Sequence, residues 1–122
     1  MNEEQINLTA DVLSNGVGLI TAAGYINNEG GQAIADAAGN LIERGCGTLL
    51  IDLAGTRIIN SIGVSILLEI MERLLEEKGR LAFCSLTPTI AKTFEIMGLV
   101  QYATIYPDQR AARADLEGHA SG

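Results

Sequence analysis

Apolar positions follow two different periods along this chain, and the changes of period mark its elements. Leu8 to Leu13 and Val17 to Ala22 are apolar-rich runs separated by Ser14-Asn15-Gly16. Asn-Gly between such runs signals a β-hairpin, because both residues tolerate the positive φ of a type I′ turn. After Gly24-Tyr25-Ile26-Asn27-Asn28 the period becomes helical: Ile34, Ala37, Ala38, Leu41 and Ile42 form one stripe. This predicts a helix over about Glu29 to Arg44, capped by Asn27 or Asn28 and stopped by Gly45 and Gly47. Thr48 to Leu53 is a continuous apolar strand of the kind buried on both faces. Ala54 to Asn60 reads as a loop or short edge segment. From Ser61 to Lys78 the helical period returns, with Val64, Leu67, Leu68, Met71, Leu74 and Leu75 assigned to the core face.

Gly79 ends that helix, and Leu81 to Leu86 is a third buried strand. Thr87-Pro88 opens another helix, with Thr at the cap and Pro in the first turn, running to about Met97 before Gly98. Tyr102 to Tyr106 reads as a last strand, and Pro107-Asp108 introduces a helix over Gln109 to Leu116. Strands alternating with helices require crossover connections. The expected fold class is therefore α/β: a mixed, mainly parallel sheet with an N-terminal β-hairpin, flanked by about four helices. A length of 122 residues suits one domain, placed at residues 1–116, with 117–122 as a small polar tail.

Composition narrows the function classes. Apolar residues make up 48% and Trp is absent, so the core is aliphatic. No apolar run is long enough for membrane insertion, since Ser65 and Glu69 interrupt the richest stretch, Ile62 to Met71. The acidic start Met1-Asn2-Glu3-Glu4-Gln5 does not have the form of a signal peptide, which points to a cytoplasmic protein. A net charge of −7 with scattered basic residues argues against nucleic acid and for a basic or neutral protein partner. Cys46 and Cys84 are far apart and are expected as reduced structural thiols. His119 is the single histidine and falls in the tail, so no metal site or histidine-activated nucleophile is expected. With no phosphate-binding or nucleophile-elbow motif either, the chain reads as a non-enzyme without cofactors. Glu69, Glu72, Glu76 and Glu77 read as a solvated helix face, partly paired with Arg73 and Lys78.

The informative segment is Ile51 to Val64, where an Asn60-Ser61 pair stands at the handover from a buried strand and its loop to a helix. Partner and ligand surfaces of parallel sheets gather at the carboxyl ends of strands. Ser61 has two readings here. As a helix cap its hydroxyl accepts from the N–H of Gly63 or Val64, contributing about 1 kcal/mol. As a surface residue beyond the carboxyl end of a strand it belongs to a partner or ligand surface; position alone favours the cap.

Asp52-Leu53-Ala54-Gly55, Asn60-Ser61-Ile62-Gly63 and Leu67-Leu68 together resemble the "DLSG…DSxG…LL" segment of STAS domains in bacterial anti-sigma factor antagonists. Gly24-Tyr25-Ile26-Asn27 is similar to that family's "GELD", Lys78-Gly79-Arg80-Leu81 to its "GG…L", Thr87-Pro88-Thr89-Ile90 to its "SPxV", and Met97-Gly98-Leu99 to its "xGL". The matches keep their order over roughly residues 7 to 106. The resemblance implies the STAS fold and a partner-switching role: the protein binds an anti-sigma factor that is also a serine kinase, and phosphorylation of the serine in DSxG, here Ser61, dissociates the pair. The implied partner surface centres on Ser61 with Asn27, Thr56, Arg57, Ile58, Ile59, Asn60, Ile62 and Gly63, and leaves room for a homodimer. A STAS interaction subunit of a larger assembly, stressosome-like or in a lipid-transport ATPase complex, is the alternative; a small-molecule sensor is a third class. Asn60 and Asn27 stand where the family carries Asp. A unit charge at about 4 Å interacts by ~1 kcal/mol in water and ~4 kcal/mol at an effective dielectric of 20, so both changes bear on kinase recognition and phosphoserine turnover.

Overall fold

A computed structural model of the chain describes residues 6–118. The hairpin consists of β1 (Asn7–Val12) and β2 (Val17–Ala23), paired antiparallel with Val12 opposite Gly18. Asn15 (φ 64°) and Gly16 (φ +69°) both adopt the left-handed backbone that the Asn-Gly signal demanded. Next come α1 (Asn28–Glu43), β3 (Thr48–Gly55), α2 (Ser61–Glu76), β4 (Arg80–Cys84), α3 (Pro88–Ile96), β5 (Ala103–Tyr106) and α4 (Gln109–Gly118). The sheet has five strands in the order β1-β2-β3-β4-β5, parallel from β2 onward. β3 runs two residues beyond the expected strand, because an irregularity in the β2–β3 register lets Ala23 pair with Gly55. β4 stops at Cys84 instead of Leu86, where Ser85 leaves the strand at φ 64°.

Successive right-handed crossovers between adjacent strands place α1, α2 and α3 on one face of the sheet. There the larger core forms: Ile20, Ala22, Leu49, Ile51, Leu53, Leu81 and Phe83 from the strands meet Ile34, Leu41, Leu67, Met71, Ile90 and Phe94 from the helices. Phe83 and Phe94 pack edge to face with centroids 4.8 Å apart, the one aromatic contact among the described residues. The alternate strand positions Val17, Leu19, Leu50, Ala82 and Cys84 point to the other face, where α4 covers them with Ala112 and Leu116. Cys46 and Cys84 are both free and buried, and they belong to the cores on opposite faces of the sheet.

The core face of α2 is rotated slightly from the expected one. Val64, Leu67, Met71 and Leu74 are buried and Leu68 is half-buried, but Ile70 takes the place given to Leu75, which is 43% exposed. Arg73 pairs with Glu77 at 3.4 Å on the solvent side. The last helix also outruns its expected end, so Glu117 and Gly118 belong to α4 and not to a tail; His119 and residues 120–122 lie outside the described residues. Glu117 accepts from the hydroxyl and the backbone N–H of Ser14, pairs with Arg113 at 2.7 Å, and so ties α4 to the hairpin turn. Asn15 adds a bond from Nδ2 to the Leu116 carbonyl at 2.9 Å. No helix among the described residues is long and apolar enough to cross a membrane.

Two outcomes follow from this packing. Leu67→Ala should cost about 2–5 kcal/mol in denaturant unfolding, whereas Leu75→Ala should change stability by no more than about 0.5 kcal/mol. The Ser14 hydroxyl, then Arg113, hold the Glu117 carboxyl below its usual range. A depressed folded value stabilises above the unfolded pKa and is lost as pH falls through the folded one. The melting temperatures of wild type and Glu117→Gln should therefore differ at neutral pH and converge in acid.

Candidate functional site

The carboxyl ends of β2 and β3 each lead into a helix, and the two lead-ins are built alike. Asn27 caps α1, its Oδ1 accepting from the Gly30 N–H at 2.9 Å. Asn60 caps α2 in the same way, accepting from the Gly63 N–H at 2.8 Å. Both caps have extended backbone and a short polar side chain that satisfies one orphan helix donor. An isolated parallel bridge, Ile26 to Ile59, ties the two segments together. The Ile26 N–H donates to the Ile58 carbonyl at 3.0 Å, and the Asn60 N–H donates to the Ile26 carbonyl at 3.1 Å.

Glycine makes this approach possible. A Cβ on Gly63 would collide with the Ile26 carbonyl oxygen, and one on Gly30 would lie 2.5 Å from the Tyr25 carbonyl. Gly31 lets α1 close on α2, since its Cβ would stand 2.8 Å from Ile66 Cδ1 and 3.5 Å from the Gly63 Cα. The N-termini of α1 and α2 are thus held side by side by backbone contacts. The positive ends of the two helix dipoles open on the same edge of the sheet.

Ser61 is the first residue of α2 and is exposed. It is not the cap: Asn60 has that role, and the Ser61 hydroxyl has no hydrogen-bond partner among the described residues. Its carbonyl accepts from the Ser65 hydroxyl at 3.0 Å, one turn further along. Ile58 and Ile62 flank it with 59% and 52% of their surface exposed, an unusual exposure for two isoleucines in so aliphatic a chain. Arg57 is exposed as well, while Ile59, Asn60 and Asn27 are half-buried. The amide side chains of Asn60 and Asn27 leave this surface without the two carboxylates that Asp would bring.

Two of the expected surface residues lie inside. Thr56 is fully buried, and its hydroxyl donates to the Ala22 carbonyl at 3.2 Å, fastening the start of the loop to β2. Gly63 is buried beneath Ile26 and offers a partner no surface. Thr56 and Gly63 therefore shape the site without facing a partner. Sequence reasoning missed the docking of the two lead-ins on each other, although a signal was there: Asn27-x-x-Gly30 and Asn60-x-x-Gly63 are the same cap-and-glycine unit twice.

Behind the loop, Asp52 in β3 is buried; it accepts from the Ala54 N–H at 2.9 Å and from Gln109 Nε2 at 2.7 Å. Cys84 is its neighbour across the β3–β4 ladder, and burial, then the Asp52 charge, push that thiol up to about 12. A thiol so held stays protonated and is a poor nucleophile. No group of residues with metal-binding spacing occurs among the described residues.

Substitutions at the caps should separate shape from charge. Asn60→Ala should cost about 1 kcal/mol through the lost cap, and Asn60→Asp should not lower stability, since a carboxylate suits the same position. Gly63→Ala should destabilise the protein, although a Gly→Ala change in a helix interior on its own favours the helix by about 1 kcal/mol. Denaturant melts of the three variants check the order; a stable Gly63→Ala protein would contradict the backbone contact.

Comparison with known proteins agrees with this architecture. The STAS domain model matches residues 11–112. BtrV of Bordetella bronchiseptica, named as a candidate anti-sigma factor antagonist, is 24% identical over 109 residues, spanning 89% of this chain and 93% of its own. An anti-sigma factor antagonist from Mycobacterium paratuberculosis has a similar fold, with a TM-score of 0.79 at 23% identity over 93% of this chain and 95% of that one. SpoIIAA, a Bacillus cell fate determinant, does so in its phosphorylated form with a TM-score of 0.69 at 20% identity, covering 87% and 96% of the two chains. A similar fold and a family match across nearly the whole described structure lead to one assignment: this chain belongs to the STAS domain family.

Proposed function

We propose that this chain is an anti-sigma factor antagonist: it binds an anti-sigma factor that is also a serine kinase, and phosphorylation of Ser61 releases it. The observation that carries the reading is the exposed Ser61 hydroxyl at the start of α2, which has no hydrogen-bond partner among the described residues because Asn60 holds the cap. Residues 1–116, with the two further residues that complete α4, act as one binding unit in the cytoplasm, without catalysis or a cofactor of its own. Ile58 and Ile62 supply the apolar contact on either side of the serine, and Arg57, Ile59 and Asn27 frame it.

Electrostatics explains how one phosphate works as a switch. A phosphoserine adds about −1.5 to −2 charge at neutral pH. At residue 61 that charge meets the positive end of α2, so the domain itself tolerates it. A partner seated over Ile58 and Ile62 has to desolvate the same charge without a counter-ion, which opposes binding. SpoIIAA has been solved both unphosphorylated and phosphorylated with this fold, which supports a switch that leaves the fold intact.

Ser61→Ala should keep the fold and bind the partner constitutively. Ser61→Asp should fold equally well and bind about 10- to 100-fold more weakly, a difference of ~1.4–2.8 kcal/mol. Ile62→Ala should weaken the complex without lowering the melting temperature. Incubation with ATP and the serine kinase encoded nearest to this chain, followed by mass spectrometry, should place phosphate on Ser61. Phosphate on another residue, or Ser61→Asp binding as tightly as wild type, would overturn the switch in favour of an interaction module that binds constitutively.

A further inference from the structure

A second surface lies at the edge of the sheet, two strands away from the strand that leads to Ser61. Among the described residues β5 has β4 on one side and no strand on the other, so the outer row of its backbone groups is open to pairing. Its sequence, Ala103-Thr104-Ile105-Tyr106, has no Lys, no Pro and no charge of either sign, so its short length is its one protection against edge pairing. The opposite edge strand, β1, carries the exposed Asp11. Beside β5 runs a groove under α3, with Leu86, Pro88, Ala91, Val100 and Ile105 as apolar lining and Lys92 and Glu95 as its charged residues. Five of the nine large apolar residues exposed among the described residues fall between 96 and 105: Ile96, Met97, Val100, Tyr102 and Ile105. No comparable concentration surrounds Ser61.

We propose that this edge is a homodimer interface, with β5 of a second copy pairing antiparallel to β5 and the two sheets joined into one. The charges favour a second copy over an unrelated partner. A chain of net charge −7 repels its own copies over most of its surface, so self-association needs a contact region that is neutral or self-complementary. β5 is neutral. Lys92 and Glu95 are both exposed, neither forms an ion pair among the described residues, and they stand three residues apart on α3. A two-fold axis perpendicular to the sheet makes the two β5 strands antiparallel and keeps both α3 helices on the same face, running in opposite directions. Lys92 of each copy then faces Glu95 of the other, the reciprocal pairing of an isologous interface. The Ser61 surface, at the carboxyl end of β3, stays open in such a dimer. Partner binding and dimerisation are therefore independent.

Sedimentation velocity over a concentration series from micromolar to near-millimolar tests this. Wild type should pass from monomer to dimer. Ile105→Lys, which charges the pairing edge, should weaken dimerisation about tenfold or more. Lys92→Glu should do the same by setting like charges together, and Lys92→Glu combined with Glu95→Lys should restore wild-type association, because the double variant re-forms both pairs. Circular dichroism melts confirm folding. Should Ile105→Lys fail to fold, the Lys92 and Glu95 variants decide, since both side chains are solvent-exposed. A wild type monomeric at every concentration would overturn the proposal, as would a dimer unaffected by these substitutions or one weakened by Lys92→Glu and not restored by the reciprocal change.

Discussion

The close passage of the Ile26 and Ile59 backbones fixes everything at the functional end of this molecule. Two hydrogen bonds around that bridge bring the lead-ins of α1 and α2 together, and they leave the Ile26 carbonyl so near α2 that only glycine fits at position 63. Once the lead-ins are joined, the helix starts have little freedom. Asn27 and Asn60 cap them, Gly31 lets them touch, and the first residue of α2 is left facing outward. The exposure of Ser61 is thus a consequence of backbone geometry, not of a side chain holding it out.

The elements of the fold were largely legible because each rests on a local signal. Asn15-Gly16 marks a turn that needs positive φ at both residues, and Thr87-Pro88 marks a helix start that needs a cap and no N–H. What the sequence concealed depends on tertiary contact. Ile70 and Leu75 are similar in hydrophobicity and stand on opposite margins of the apolar stripe, and only the packing of α2 against α1 and β4 decides that the first is covered. Thr56 looks like a loop residue, yet a single bond to the Ala22 carbonyl draws it inside. At the site the sequence offered two competing roles for Ser61. The position of the Asn60 side chain takes the capping role away from Ser61 by occupying the Gly63 N–H. The same bond shows what survives when an amide stands in place of a carboxylate: the cap is retained, and only the charge is gone.

The two faces of the sheet are unequal, and the inequality divides labour. Three helices cover one face and carry most of the buried apolar surface, so the site at the start of α2 belongs to the most strongly packed part of the molecule. Among the described residues the other face is closed by one helix, α4, through Ala112 and Leu116 and the polar ties at its two ends, Gln109 to Asp52 and Glu117 to Ser14. Local opening follows the number of buried contacts that must be given up, so the face under α4 is the first to open.

That inequality gives the two cysteines a use beyond packing. Cys46 lies within the three-helix core and Cys84 beneath α4, with the sheet between them. In the closed state neither thiol is accessible, and Cys84 is also kept protonated. A thiol-specific reagent thus reads Cys84 when α4 lifts away, and reads Cys46 when the helical layer itself comes apart. The chain carries its own pair of clocks, one for each side of the sheet, and their separate rates would report whether an event at Ser61 is felt on one face alone or on both.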